Sequence, residues 1–282
     1  FQAEDGIRDC LLSRGLGDVY KRQSLKYDFA LFNDLKGVGI WALGYDDGRP
    51  ELWELLHAKF GDTAPPTKPS NLYMKNIGQG LIKIDFNGSE NASNFIVLRG
   101  YLDVFGGLDT VGIFSERPII IDNLVEGDSY FLSVVARNSL GSSEPTEMLG
   151  IIPASNNVKA LIVNGFDRIS GTTNTFDFIH EHGNAIFING YTFDASSNDA
   201  IINGSMKLSD YGIVDWILGE EGTATSAFDE KEKILLQDYL LNGGRILISG
   251  SEIGYDLSEK GNNSDKIFYE NILKAEYVSD AA

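Results

Sequence analysis

The sequence predicts a multidomain chain: an antiparallel β-sandwich, then an α/β domain built on a parallel sheet, with one βα unit ahead of both. Three observations predict it. Between Leu72 and Ile152 apolar residues alternate in short runs, LIKIDF, FIVLRGYL, PIIIDNL and YFLSVVARN, separated by Gly, Asn, Asp and Ser, as short antiparallel strands do. After IPASNNVK the pattern changes to KALIVNGF, AIFING, DYGIVDWIL and GRILISG, read as strands spaced by helix-like stretches, which signals a parallel sheet. Ahead of both, residues 37–60 read GVGIWALGYDDGRPELWELLHAKF. That is a strand from Val38 to Leu43 apolar enough to be covered on both faces, a polar turn and an amphipathic helix.

Composition sets the outer bounds. With 282 residues, of which 43% are hydrophobic and 11% aromatic, the chain can bury packed cores in two or three domains. The first 23 residues, FQAEDGIRDCLLSRGLGDVYKRQ, have no period of 2 or 3.6 and hold the single cysteine, Cys10. AEDGIRD and SRGLGDVYKRQ resemble a translated sequencing-adapter peptide, so residues 1–23 are expected to be an artefact, disordered and outside the fold. They carry four acidic and four basic residues, so the net charge of −18 belongs to residues 24–282. That charge repels a phosphate backbone and makes nucleic acid an unsuitable partner. Without Cys10 there is no disulfide, thiolate metal site or cysteine nucleophile, and no 18-residue apolar run spans a membrane.

The domain boundaries follow from punctuation. GDTAPPTKPSN holds three prolines and reads as a semi-rigid linker closing a segment at 24–62. The sandwich then occupies 63–152 and the α/β domain 157–282, the latter expected to be cut at its C-terminus.

The βα unit resembles the end of the catalytic barrel of glycoside hydrolase family 18, a TIM barrel. Gly37, Gly39, Trp41 and Asp46 match the Gly-rich last strand, its tryptophan and the aspartate beyond; SLKYDFALFNDLKG looks like the preceding helix and ELWELLHAKF like the closing one. The resemblance implies a substrate-binding set of Trp41, Tyr45 and Asp46, with the indole stacking on a sugar face at the carboxyl ends of the barrel strands. A barrel needs roughly 250 residues, of which about 37 are present here. The family's acid motif D-x-x-D-x-D-x-E does not occur in the sequence. No catalytic residue is therefore expected. The implied function is that of a fragment of a secreted or cell-surface bacterial glycoside hydrolase acting on N-acetylglucosamine polymers, chitin or peptidoglycan. One alternative is a non-catalytic cell-surface binding or scaffold protein.

The middle segment resembles a fibronectin type III domain. Leu124 and Tyr130 stand six apart, as the family's tyrosine corner requires, and Ala136, Asn138, Gly141 and Ser143 complete the A-x-N-x-x-G-x-S ending. Phe86 replaces the tryptophan usual in the second strand. This module reads as a spacer.

The last segment resembles glutamine-amidotransferase-like or flavodoxin-like domains of secreted Bacteroidetes-type proteins, which supplies a further alternative, an amidase-like hydrolase. Its strands are read as ending in NGFDR, NGY, GEEG and SGSEIGYD, so a possible ligand edge gathers Asp167, Arg168, Glu220, Glu221, Ser251, Glu252 and Asp256. Topology is expected to put Asp167, Glu220, Glu221 and Glu252 on one edge of a four-stranded parallel sheet, with Arg168 as the adjacent counter-charge. Such a cluster would raise carboxyl pKa values or attract a hard cation such as Ca²⁺. No cofactor is expected, and no metal ligand set: His180 and His182 are too close for an i, i+4 zinc pair. Gly250 to Gly254 does not form G-x-S-x-G around Ser251. Asp229 and Glu232 are spaced as a capping box, and Gly243 ends that helix. Four N-x-S sequons, at Asn87, Asn91, Asn203 and Asn262, read as turn asparagines.

Overall fold

The structure is a computed structural model and describes residues 16–33, 35, 38–39, 50–60, 64–100, 108–155, 158–169, 174–223 and 226–279. Two compact units are distinguished, Phe1–Ala64 and Pro65–Ala282.

The first unit contains two helices, α1 (Leu16–Phe32) and α2 (Glu51–Phe60). Glu51 and Glu54 lie in the first turn of α2, and His57 and Lys59 in its last, complementing the helix dipole. Among the described residues of α1, Tyr27 and Ala30 are buried; the Tyr27 ring meets Phe60 edge-on at 5.4 Å, and Lys59 bonds Asp28 at 2.5 Å. Residues 16–23 are helical, which corrects the expectation that everything up to Gln23 is disordered. No proline interrupts Leu16–Phe32, so the helix continues through the expected boundary. Trp41, Tyr45 and Asp46 lie outside the described residues, as does the expected strand apart from Val38 and Gly39, which carry no regular structure.

The second unit is built on two sheets. The strands are β1 (Ser70–Gly78), β2 (Leu81–Asn87), β3 (Asn94–Gly100), β4 (Asp109–Phe114), β5 (Ile119–Ile121), β6 (Tyr130–Asn138), β7 (Gly141–Ser142), β8 (Leu149–Ile151), β9 (Ala160–Asn164), β10 (Phe193–Ser197), β11 (Ile213–Gly219) and β12 (Arg245–Gly250). Its α-helices include α3 (Phe178–Ile188), α4 (Asn198–Ile202), α5 (Glu230–Leu241) and α6 (Asn263–Ile267). The smaller sheet runs β4-β3-β6-β7, with β8 also on β6. It is antiparallel throughout.

The larger sheet has seven strands in the order β12-β11-β9-β10-β1-β2-β5. Strands β9 to β12 are parallel, and β1 joins β10 antiparallel through Tyr73 opposite Ser196 and Met74 opposite Ala195. The two segments read as separate domains therefore share one sheet. A polar clamp fixes the seam. Asn76 donates to Asp194 at 2.8 Å and to the Ile152 carbonyl at 3.0 Å, and its own oxygen accepts from Ala154 N–H at 2.7 Å.

Strand alternation places two cores on the two faces of this sheet. Leu72, Met74, Ile162, Phe193, Ala195 and Ile217 face the smaller sheet and α3. Tyr73, Leu161, Val163, Val214, Trp216 and Leu218 face the other way, toward α4 and α5. Phe86, the residue in place of tryptophan, is 1% exposed and packs on Phe95 at 4.8 Å.

One expected strand is corrected. AIFING was read as extended, but Ala185–Ile188 is the last turn of α3, and the strand is the more polar FDASS, residues 193–197. A short apolar run fits a buried helix as well as a strand. NGY, residues 189–191, therefore lies before β10 rather than at its carboxyl end. The capping box forms as spaced: Asp229 accepts from Glu232 N–H at 2.7 Å and Glu232 accepts from Asp229 N–H at 2.8 Å. Gly243 has φ 88°.

The tyrosine corner also forms, the Tyr130 hydroxyl accepting from Val125 N–H at 2.8 Å. Tyr130→Phe is expected to lower stability by about 1–2 kcal/mol, the cost of leaving that donor unpaired. The urea midpoint checks this, and an unchanged midpoint would contradict it.

Candidate functional site

Numbering the parallel strands in chain order, the sheet reads 2-1-3-4, with β9 first. The order reverses between β9 and β11, and the carboxyl ends of these two strands flank the crevice where doubly wound sheets take ligands. Gly165 N–H bonds the Ile217 carbonyl at 2.7 Å, holding the two strand ends together as the chain leaves β9.

The residues after each strand share this edge. Asp167 and Arg168 follow β9, Glu220 and Glu221 follow β11, and Ser251 and Glu252 follow β12. Asp167 sits near enough to Asp199, at the start of α4, and to Glu221 that both raise its carboxyl pKa, after the larger effect of partial burial. Arg168 Nη2 donates to the Glu220 carbonyl at 2.7 Å and to Thr223 Oγ1 at 3.0 Å, so it pins the turn after β11. Lys68 is the cation whose charge lowers the pKa of Asp167 and Glu147. Asp256 is buried and accepts from Ala227 N–H at 2.7 Å and from Lys260 at 3.0 Å, which makes it a tie between segments rather than an edge ligand.

Around Ser251 the chain makes a strand–turn–helix elbow. Ser251 N–H bonds the Gly219 carbonyl at 2.7 Å. The left-handed residue is Glu252, at φ 62°, so the turn presents the glutamate where the sequence pointed to the serine. A Cβ on Gly250 would meet Leu218 Cβ at 2.7 Å and the Gly219 carbonyl oxygen at 3.0 Å, so packing requires glycine there; one on Gly254 would meet the Tyr269 hydroxyl at 2.9 Å, the tip of a side chain. Beside this elbow, Phe178, His182, Ile217, Gly219, Glu220 and Ser249 line a recess of about 230 Å³ together with Gly250 and Ser251. Among the described residues no three His, Cys, Asp or Glu side chains converge as a metal site.

The two histidines of α3 point to different surroundings. His180 is buried, its ring tilted at 40° against Phe131 with centroids 3.9 Å apart, and approaches Met148 Sδ at 3.1 Å; burial lowers its pKa. His182 Nδ1 lies 2.7 Å from Asp215 Oδ2, and that hydrogen bond raises its pKa against the opposing effect of burial.

No protein-family profile matches the chain, and no curated protein sequence does. Among solved structures, the fibronectin type III domain of human fibronectin type III domain containing protein 3 aligns at 17% identity over 33% of this chain and 91% of that one, with a TM-score of 0.29. An Fn3-like protein from Clostridium thermocellum aligns at 16% identity over 31% and 92%, with a TM-score of 0.27. Strand order and the tyrosine corner carry the classification. The sandwich is fibronectin type III-like.

That fibronectin type III-like sandwich contributes to the edge a residue that sequence reasoning missed. Glu147, just ahead of β8, accepts from Asn164 at the end of β9 at 2.6 Å. Burial, reinforced by Asp167 and Asp199, pushes its carboxyl up to about 8, although part of the side chain still meets solvent. Glu232 is the second. It is buried at the start of α5, accepts from Asn198 at 3.0 Å, and burial pushes it up to about 7. The capping-box spacing had marked Glu232 as structural only. Glu147 had no sequence signal, because its position depends on the shared sheet.

Proposed function

We propose that this chain is the accessory part of a secreted, modular protein that acts on N-acetylglucosamine polymers, chitin or peptidoglycan. In this reading Pro65–Ala282 is a flavodoxin-like body fused to a fibronectin type III-like spacer, and its switch crevice takes the glycan. The observation that carries the reading is the crevice itself. Two carboxyl–amide pairs, Glu147 with Asn164 and Glu232 with Asn198, stand with Asp167 where four chain segments meet. Carboxyl and amide groups match the donors and acceptors of sugar hydroxyls, whereas the net charge of −18 disfavours phosphate ligands.

The helix pair supports a barrel parent. Leu25, Phe29, Leu31, Phe32 and Leu35 are 42–90% exposed, an apolar surface of the kind a neighbouring barrel helix covers. Trp41 would then stack on substrate, while proton transfer would need the acid that this sequence lacks.

Titration calorimetry with chito-oligosaccharides and with peptidoglycan glycan strands tests the reading. Binding of one polymer is expected, weakened about tenfold by Asp167→Ala through a lost charged hydrogen bond, with no turnover. If neither polymer binds, the glycan reading falls and the cell-surface scaffold reading takes its place; turnover by this chain would also overturn it.

A further inference from the structure

The recess beside the elbow carries a pair that the glycan reading does not use. Asp215 sits in the middle of β11, 5% exposed, on the face shared with Ile217 and α3. A central strand position covered by a helix is ordinarily apolar. Among the described residues the hydrogen-bond partner of the carboxylate is His182 Nδ1, at 2.7 Å, and Asp215 Oδ1 is buried with no hydrogen bond. A purely structural pair would be as well served by two apolar side chains. The second nitrogen, Nε2, belongs to a side chain that lines the recess.

The ladder brings a hydroxyl to the same place. Asp215 stands beside Leu247 and Ile217 beside Ser249 in parallel register. Ser249 is therefore on the Asp215 face, one step further toward the carboxyl edge, and lines the recess with His182. Ser251 also borders the recess, but it follows the strand and its N–H is bonded to Gly219. Carboxylate, imidazole and hydroxyl thus come from β11, α3 and β12, an arrangement set by geometry rather than by a local motif.

We propose that this recess is an acyl-transfer site, with Ser249 as nucleophile, His182 as general base and Asp215 as the positioning residue for the imidazole. Its substrate class is a short-chain ester of a neutral alcohol. A recess of about 230 Å³ admits a small acyl group, and Glu220 on its wall disfavours anionic substrates. In the first step Ser249 Oγ bonds to the ester carbonyl carbon and its proton passes to His182 Nε2. The alkoxy group then leaves, taking that proton. In the second step water, deprotonated by His182, attacks the acyl-serine; the carboxylic acid departs and Ser249 recovers its proton. Asp215 fixes the tautomer that leaves Nε2 free to accept, and stabilises the imidazolium as it forms.

The test does not depend on glycan binding. The full chain is treated with a fluorophosphonate probe, the labelled residue is mapped by mass spectrometry, and hydrolysis of p-nitrophenyl acetate is measured in parallel. Labelling at Ser249 is expected, lost in Ser249→Ala and in His182→Gln, with kcat for the ester falling about 10³-fold or more in either variant. Ser249→Ala removes one oxygen from a partly exposed position, so its fold is expected to persist, and circular dichroism verifies this. An unlabelled, esterase-inactive wild-type chain would overturn the proposal. So would labelling at Ser251, or a folded Ser249→Ala variant with undiminished esterase activity.

Discussion

Phe193→Ala is expected to lower stability by about 3–5 kcal/mol, the range for emptying a fully buried phenylalanine site, and to do so in a single transition. Phe193 belongs to β10 and is 0% exposed. Its ring lies against Gly150 of β8 and Gly183 of α3, at distances that leave no room for a Cβ: 2.9 and 2.8 Å from the positions such atoms would occupy. It therefore touches the sandwich and the α/β layer together. A void there loosens both, because the surrounding strands belong to one sheet and one core. For about 220 residues each kcal/mol moves the midpoint by roughly 2–4 °C, which makes a fall of roughly 6–20 °C. Calorimetry decides between the alternatives. One shifted transition follows from a shared sheet, whereas two transitions, only one of them shifted, would mean that the sandwich and the α/β layer fold independently.

What was legible in the sequence was what adjacent residues encode. Period-2 runs placed β2, β3 and β6, the Leu124–Tyr130 spacing gave the corner, and Asp229 with Glu232 gave the cap of α5. These signals are local. The pairing of β1 with β10 joins residues more than 120 apart, Tyr73 and Ser196, and the alternation in β1 fits an edge strand equally well. Strand β10 was missed because Asp194, Ser196 and Ser197 look like a loop. Their burial is explained by partners that no local pattern names: Tyr211 donates to Asp194 at 2.6 Å, and Asn76 reaches it from β1. The candidate site shows the same division. Asp167, Glu220, Glu221 and Glu252 were placed on one edge by strand topology alone. His182 with Asp215, and Glu147 with Asn164, are contacts between elements 33 and 17 residues apart and become visible only in the fold.

Folding stability is expected to fall as pH rises from about 4.5 to about 8. Glu147 has an ordinary pKa of 4.5 when unfolded and about 8 when folded; Glu232 goes from 4.5 to about 7. In that window the folded chain retains protons that the unfolded chain has released, so the derivative of unfolding free energy with pH is negative. The contribution of a raised carboxyl is fully present below the unfolded pKa and is lost as pH passes through the folded one. Asp167 and Asp194 are raised in the same sense, as is His182. His180, lowered by burial, acts oppositely and only on the acid side. Because Glu147 keeps some solvent contact, its share is about 1–3 kcal/mol rather than the full value of its shift. The paired variant Glu147→Gln with Glu232→Gln separates this from general charge repulsion. Glutamine keeps the capping box at Glu232 and cannot ionise. The double variant is expected to match the wild type within about 1 kcal/mol in urea denaturation at pH 4 and to exceed it by about 3–6 kcal/mol at pH 8.5, the share of Glu147 plus about 2–3 kcal/mol for the buried Glu232. If its stability fell with pH in parallel with the wild type, the loss would come from the overall negative charge and not from these two buried carboxyls.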